Sequence, residues 1–216
     1  MKYPLFDNPD EYLRFRQGSF FMGFLKRKAE EHALERCLSA LNDIKKVCDA
    51  PCGPGRLFYF WHKKSFDVYG VDLSDSMVTA AKNEHSRLNL NGSVHCGDVF
   101  RMKDFLNDIP DLVISVRFVY YLNREERIEF IKALLATSRR YVLMQYKTTE
   151  TYKGWLNVRR HKRKDRLYPK QFCLYSQIIE ELSEAGANIL QVVPISQFSD
   201  RVFISAEKRD TISLIH

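Results

Sequence analysis

A short apolar run, Lys46-Val47-Cys48-Asp49-Ala50, opens directly into a turn holding two glycines, Pro51-Cys52-Gly53-Pro54-Gly55. A second apolar run, Asp67-Val68-Tyr69-Gly70-Val71-Asp72, ends on an acid 23 positions after Asp49. Strand, glycine turn, helix and strand within so few residues leave one economical solution, a parallel βαβ unit. Glycines without Cβ atoms let the backbone approach a ligand closely, and a helix N-terminus after them offers unpaired N–H donors. Asp72, at the end of the second strand, stands where a carboxylate accepts hydrogen bonds from both hydroxyls of a ribose; a turn or helix-capping aspartate is the plainer reading.

The same alternation continues along the chain. Strands are expected near 46–50, 67–72, 93–96, 111–116 and 141–145, and helices near 56–63, 75–88 and 124–137. Ser74 stands where an N-cap belongs, and Pro54 suits the start of a helix. Residues 11–42 read as a helix. After Lys147 comes a polar, basic stretch of about twenty residues, then a helix over 176–185. Two strands follow, 189–193 and 201–205, too close for a crossover helix and therefore antiparallel. The expectation is one α/β domain over residues 1–216, with an N-terminal helical cap (1–42) and a basic lid (148–172).

The dinucleotide fingerprint needs a third glycine or alanine three residues beyond the second; Phe58 stands there, which argues against NAD. The chain instead resembles the class I methyltransferases that use S-adenosylmethionine (SAM). Asp49-Ala50-Pro51-Cys52-Gly53-Pro54-Gly55 is similar to the family's first motif, and Gly70-Val71-Asp72-Leu73-Ser74-Asp75-Ser76-Met77 to its second. Cys96-Gly97-Asp98-Val99 resembles the third, and Asp111-Leu112-Val113-Ile114-Ser115-Val116 the fourth strand. The resemblance implies a Rossmann-like, seven-stranded, mostly parallel sheet with an antiparallel last strand and helices on both faces. It implies SAM as cofactor, held by Asp49, Ala50, Pro51, Gly53, Gly55, Asp72, Leu73, Met77, Gly97, Asp98, Val99 and Ser115. Asp98 would meet the adenine amino group.

A SAM methyl is already electrophilic, so the protein has mainly to align a nucleophile and exclude water. Many small-molecule members carry a histidine pair after the fourth strand. Here Arg117-Phe118-Val119-Tyr120-Tyr121 follows instead, so Tyr120, Tyr121 and Arg117 are the candidates for positioning an acceptor. Aromatic packing and a surface salt bridge are the bland readings of the same residues. The six histidines and five cysteines have no metal-ligand spacing, and no metal is expected.

Net charge is +7, and Arg159 to Lys170 contribute seven Lys/Arg against one Asp, or +6 of it. Arg159, Arg160, His161 and Arg163 are therefore candidates for binding an anionic acceptor; a solvated loop or helix face is the alternative. Two acceptor classes compete. An anionic small molecule or cell-envelope glycolipid is preferred, with a peripheral membrane contact through the mixed aromatic and basic segment Arg14 to Lys28. RNA is the second, on the strength of the basic strip alone. A non-catalytic SAM-binding scaffold is the third reading. The first residues do not read as a signal peptide and no apolar run spans a bilayer, so a cytoplasmic enzyme is expected.

Overall fold

The computed structural model describes the backbone of residues 20–161 and 170–209, and the side chains of 25–157 and 170–209. Seven strands form one sheet in the order β3-β2-β1-β4-β5-β7-β6: β1 (Lys46–Asp49), β2 (Asp67–Asp72), β3 (Val94–Cys96), β4 (Leu112–Ser115), β5 (Tyr141–Lys147), β6 (Ala187–Pro194) and β7 (Arg201–Lys208). β1 to β5 pair in parallel, and β7 runs antiparallel to both β5 and β6. This is the sheet expected from the sequence, including the reversed last strand.

Alternation along the central strands sends side chains to two covered faces, which is why these strands read as continuous apolar runs. Val47, Leu112, Ile114, Tyr141 and Leu143 face one layer, built by α1 (Phe20–Leu38), α2 (Phe58–His62) and α3 (Asp75–Arg87). Cys48, Val113, Val142 and Met144 face the other, where α4 (Arg124–Thr137) and α6 (Tyr175–Glu184) pack through Phe130, Ile131, Leu134, Ile178 and Leu182. Arg127 of α4 donates from Nε and Nη2 to the Glu181 carboxylate of α6 at 2.9 and 2.6 Å, both residues buried. A two-pronged pair of this kind holds the two helices in register, and removing one partner typically costs about 3–5 kcal/mol.

Two expectations need correcting, and one stretch gains an element. α1 stops at Leu38 rather than reaching 42, because the chain turns at Ser39 to Leu41 and Asp43 takes a φ of 57°. Pro54 does not open a helix; it stays in the turn, and α2 begins only at Phe58. The basic stretch after Lys147 is partly helical: α5 covers Tyr152–His161. Its N-terminal turn is organised by Thr151, whose Oγ1 accepts the Gly154 N–H at 3.0 Å.

The cap at Ser74 is as expected: its side chain accepts from the Met77 N–H at the start of α3. α4 begins with a reciprocal capping box between Asn123 and Glu126, with bonds of 2.9 and 2.8 Å. No helix among the described residues is long and apolar enough to cross a membrane.

Candidate active site

β1 pairs with β2 on one side and with β4 on the other, so the connections leave its carboxyl end in opposite directions. Open α/β sheets leave a crevice at this switch point. Here it is a cavity of about 620 Å³, within the range of small-molecule sites. Its lining comes from the loops after β1, β2, β3 and β4.

The loop after β1 is shaped by two glycines with different tasks. Gly53 has φ +54° and lines the cavity; a Cβ there would meet nothing within 4 Å. Its conformation demands glycine, and the missing side chain leaves the cavity floor open. Gly55 has φ +78°, but a Cβ there would lie 2.7 Å from the Phe58 ring, and one on Gly70 of β2 would lie 2.9 Å from it. These two glycines make room for Phe58, whose ring is fully buried beneath the turn. Phe58 thus stands where a dinucleotide fold needs a small residue, and it sets how closely α2 packs.

Asp72 is oriented from both sides. Its Oδ2 accepts the Gly53 N–H at 2.8 Å and its Oδ1 the Ser74 N–H at 3.0 Å. The carboxylate therefore joins the ends of two loops and still lines the cavity. An ionised carboxylate has about four acceptor sites, which suits a ribose diol. Asp98 closes a local turn by accepting the Phe100 N–H at 2.9 Å and also lines the cavity. Asp49 is buried among them; burial pushes its pKa up to about 7, with Arg56 opposing and the Asp72 charge adding to the rise. Leu73, half exposed, and the buried Met77 and Val99 supply the apolar lining.

A second part of the lining is cationic and aromatic. Arg117 takes φ +66°, a conformation that costs a residue with a Cβ roughly 1–2 kcal/mol. It is held there by Glu30 of α1, which accepts from Arg117 Nη2 at 2.9 Å and Nε at 3.4 Å. Arg56 Nη1 reaches the same carboxylate at 2.7 Å, Arg201 Nη1 at 3.0 Å and Gln145 Nε2 at 2.9 Å. Burial alone would raise the Glu30 pKa, but the three arginines and Gln145 outweigh it and hold the acid well below the usual carboxylate range. Phe100 and Phe118 line the cavity and pack their rings on Phe130, at centroid distances of 5.2 and 5.1 Å.

Of the twelve residues the family resemblance assigns to the cofactor, Asp49, Pro51, Gly53, Asp72, Leu73, Met77, Asp98 and Val99 line the cavity. Ala50, Gly55, Gly97 and Ser115 lie behind it. A Cβ on Gly97 would fall 2.5 Å from the Phe105 ring, and Ser115 is fully buried with its hydroxyl unpartnered. Tyr121 and Arg117 line the cavity, whereas Tyr120 is buried beside it with Lys147 Nζ 5.6 Å from its ring. Lys147 itself is ion-paired with Asp200, which also accepts from Asn157 Nδ2 of α5 at 2.9 Å. Lys170 Nζ sits 5.8 Å from the Tyr120 ring and 5.9 Å from the Tyr121 ring. Arg159, Arg160 and His161 fall in the last turn of α5 with their side chains outside the described residues, and Arg163 lies outside altogether. Arg56, Cys52, Ser74, Asp75, Ser76, Phe100, Val116, Phe118, Leu122 and Glu126 also line the cavity and were not picked out from the sequence as site residues. Cys52, Ser74, Asp75, Ser76 and Val116 stand inside the quoted motifs, and Glu126 had a local signal in the Asn123-x-x-Glu126 capping box.

Comparison with known proteins agrees with this geometry. Residues 47–140 match the family model described as a methyltransferase domain. The fold is that of a magnesium protoporphyrin IX methyltransferase from Synechocystis PCC 6803 solved with bound SAH (S-adenosylhomocysteine), at a TM-score of 0.72 and 17% identity over 94% of this chain and 96% of that one. Human N-acetylserotonin methyltransferase, solved with SAM, aligns at a TM-score of 0.67 and 17% identity, over 95% of this chain and 58% of that one. An uncharacterized RNA methyltransferase from Clostridium acetobutylicum is 32% identical over 106 residues, 47% of this chain. The chain spans only 23% of the length of that relative.

The sheet is thus the Rossmann-like fold of the SAM-dependent methyltransferases of known structure.

Proposed function

We propose that this protein transfers the methyl group of SAM to an oxygen or nitrogen of an anionic small molecule or cell-envelope glycolipid. The observation that carries the reading is the division of one cavity into an acidic wall, Asp49, Asp72 and Asp98, and a wall of Arg56, Arg117 and Tyr121. The acidic wall fits the cofactor: Asp72 for the ribose hydroxyls, Asp98 for the adenine amino group and Asp49 for the cationic methionine portion. Leu73, Met77 and Val99 fit an adenine ring. When bound, SAM supplies a methyl group activated by its sulfonium.

The chain's own residues would then bind, orient and exclude water. Tyr121 reaches the cavity and is the candidate for aligning an acceptor hydroxyl, with Tyr120 buried behind it. Proximity and orientation of this kind account for much of the rate in a reaction whose electrophile is already activated. Phe100, Phe118 and Leu122 keep the reacting end apolar and dry. Arg159, Arg160, His161 and Arg163 extend the cationic character along the sequence after β5, where they would attract an anionic acceptor.

RNA is the second reading, favoured by the Clostridium relative and by the +6 of charge between Arg159 and Lys170. Incubating the protein with host-cell extract and methyl-labelled SAM, with and without nuclease, separates the two. Label in a nuclease-resistant small-molecule or lipid fraction is the expected result. Label lost on nuclease treatment would transfer the assignment to RNA, and absence of label from every fraction would leave a SAM-binding scaffold.

A further inference from the structure

Glu30 belongs to none of the motifs that the family resemblance marks, yet it is the most heavily bonded acid among the described residues. It lies on α1, only 1% exposed, and receives guanidinium donors from the loop after β1 (Arg56), the loop after β4 (Arg117) and the start of β7 (Arg201). Gln145 of β5 completes the cage. Four elements far apart in sequence thus converge on one carboxylate carried by α1. Asp49 faces Arg56 and Asp200 faces Arg201, so the neighbouring acids also feel this cluster.

A cluster serving only to pin α1 to the sheet would turn all its cations inward. Here two of the three arginines line the cavity while bonded to Glu30. Arg56 uses Nη1, one of its guanidinium nitrogens, for Glu30, and the same residue lines the cavity. Arg117 is kept in a left-handed backbone conformation at the same place. The geometry points to Glu30 as a positioning residue that holds Arg56 and Arg117 as a paired receptor for a carboxylate. Guanidinium forks match carboxylates in a planar, two-bond geometry. A monoanion fits better than a phosphate dianion, because Asp49, Asp72 and Asp98 line the same cavity and repel added negative charge. The inference rests on the reading that this cavity binds SAM. The carboxylate comes either from the methionine portion of the cofactor or from an acid group on the acceptor.

The test is calorimetric titration of the full chain with SAM and with decarboxylated SAM, which differ only in the carboxylate. Wild type is compared with Glu30→Gln, Arg56→Gln and Arg117→Gln, each checked for cooperative melting. The expected result is that wild type prefers SAM by about tenfold or more, and that each variant loses this preference while binding the decarboxylated compound as before. A purely structural role for Glu30 would weaken both ligands equally and leave the ratio unchanged. If the ratio survives in the variants, benzoate titrated into the SAH-saturated protein reports the acceptor source; binding to wild type and not to Arg56→Gln supports the subsite there. If Glu30→Gln does not fold, Arg117→Lys carries the test, since it keeps the charge and removes the fork. An unchanged SAM preference together with no arginine-dependent benzoate binding overturns the inference but leaves the cofactor reading standing. Failure of wild type to bind either SAM compound would bring down both.

Discussion

The acidic and cationic walls of the cavity are built by opposite routes. Asp49, Asp72 and Asp98 sit at or just beyond the carboxyl ends of β1, β2 and β3, and Asp72 is fixed by two adjacent loops through bonds of 2.8 and 3.0 Å. Each lies within or beside a short local pattern. The cationic wall is assembled by tertiary contact, with residues 30, 56, 117, 145 and 201 meeting at one buried carboxylate. The acidic wall is thus a set of cavity-lining groups at the ends of sheet strands, while the cationic wall holds part of the fold together as well as lining the cavity.

That difference sets what substitutions should do. The largest effect on stability is expected on the cationic wall. Glu30→Ala leaves three largely buried guanidiniums around an empty position, and chemical denaturation should show a loss of about 3–5 kcal/mol. A loss within experimental error of zero would mean that the cage does not support the fold, and the contrast between the walls would disappear.

The acidic wall should respond to pH. Burial lifts Asp49 to about 7, against an ordinary aspartate near 4. Between these values the folded state keeps a proton that the unfolded state has lost. The contribution of Asp49 to stability is therefore greatest at low pH and falls as pH rises through this window. Binding runs the other way: the ionised form above pH 7 attracts the cationic sulfonium and ammonium of SAM. Affinity for SAM should rise up to about tenfold from pH 6 to 8, and Asp49→Asn should bind with a flat profile. A flat wild-type profile would remove Asp49 from the cofactor's charged end.

The smallest effect is expected at Ser74, which caps α3 next to Asp72. Ser74→Ala should lower stability by about 1 kcal/mol, or roughly 2–4 °C in Tm. A much larger drop would show that the loop after β2 bears more of the fold than its single cap bond suggests.

The contrast also explains what could be read from the sequence. The parallel sheet follows from the alternation of runs, and the antiparallel return from the short β6–β7 connection; the strand order comes from the structure. Asp72 and Gly53 stood out because turn chemistry and strand ends are local. Glu30 did not, because nothing around a lone acid on a helix shows that Arg117 and Arg201 will reach it across 87 and 171 positions. Gly55 and Gly97 looked like ligand glycines, but the Phe58 and Phe105 rings explain them better, and ring placement depends on packing. Tyr120 and Tyr121 could not be told apart, since the 3-10 turn over Val119–Tyr121 sends neighbours in different directions. α5 was missed because its charges masked its apolar positions; Trp155 is only half exposed and Leu156 partly buried.

The most direct test of the account is calorimetric titration of wild type and Asp72→Ala with SAH. Wild type should bind one equivalent, and the variant should lose on the order of 2–4 kcal/mol, about 30-fold or more in affinity, as charged hydrogen bonds to the ribose are removed. Equal affinity in the two proteins would contradict the assignment of this cavity to the cofactor.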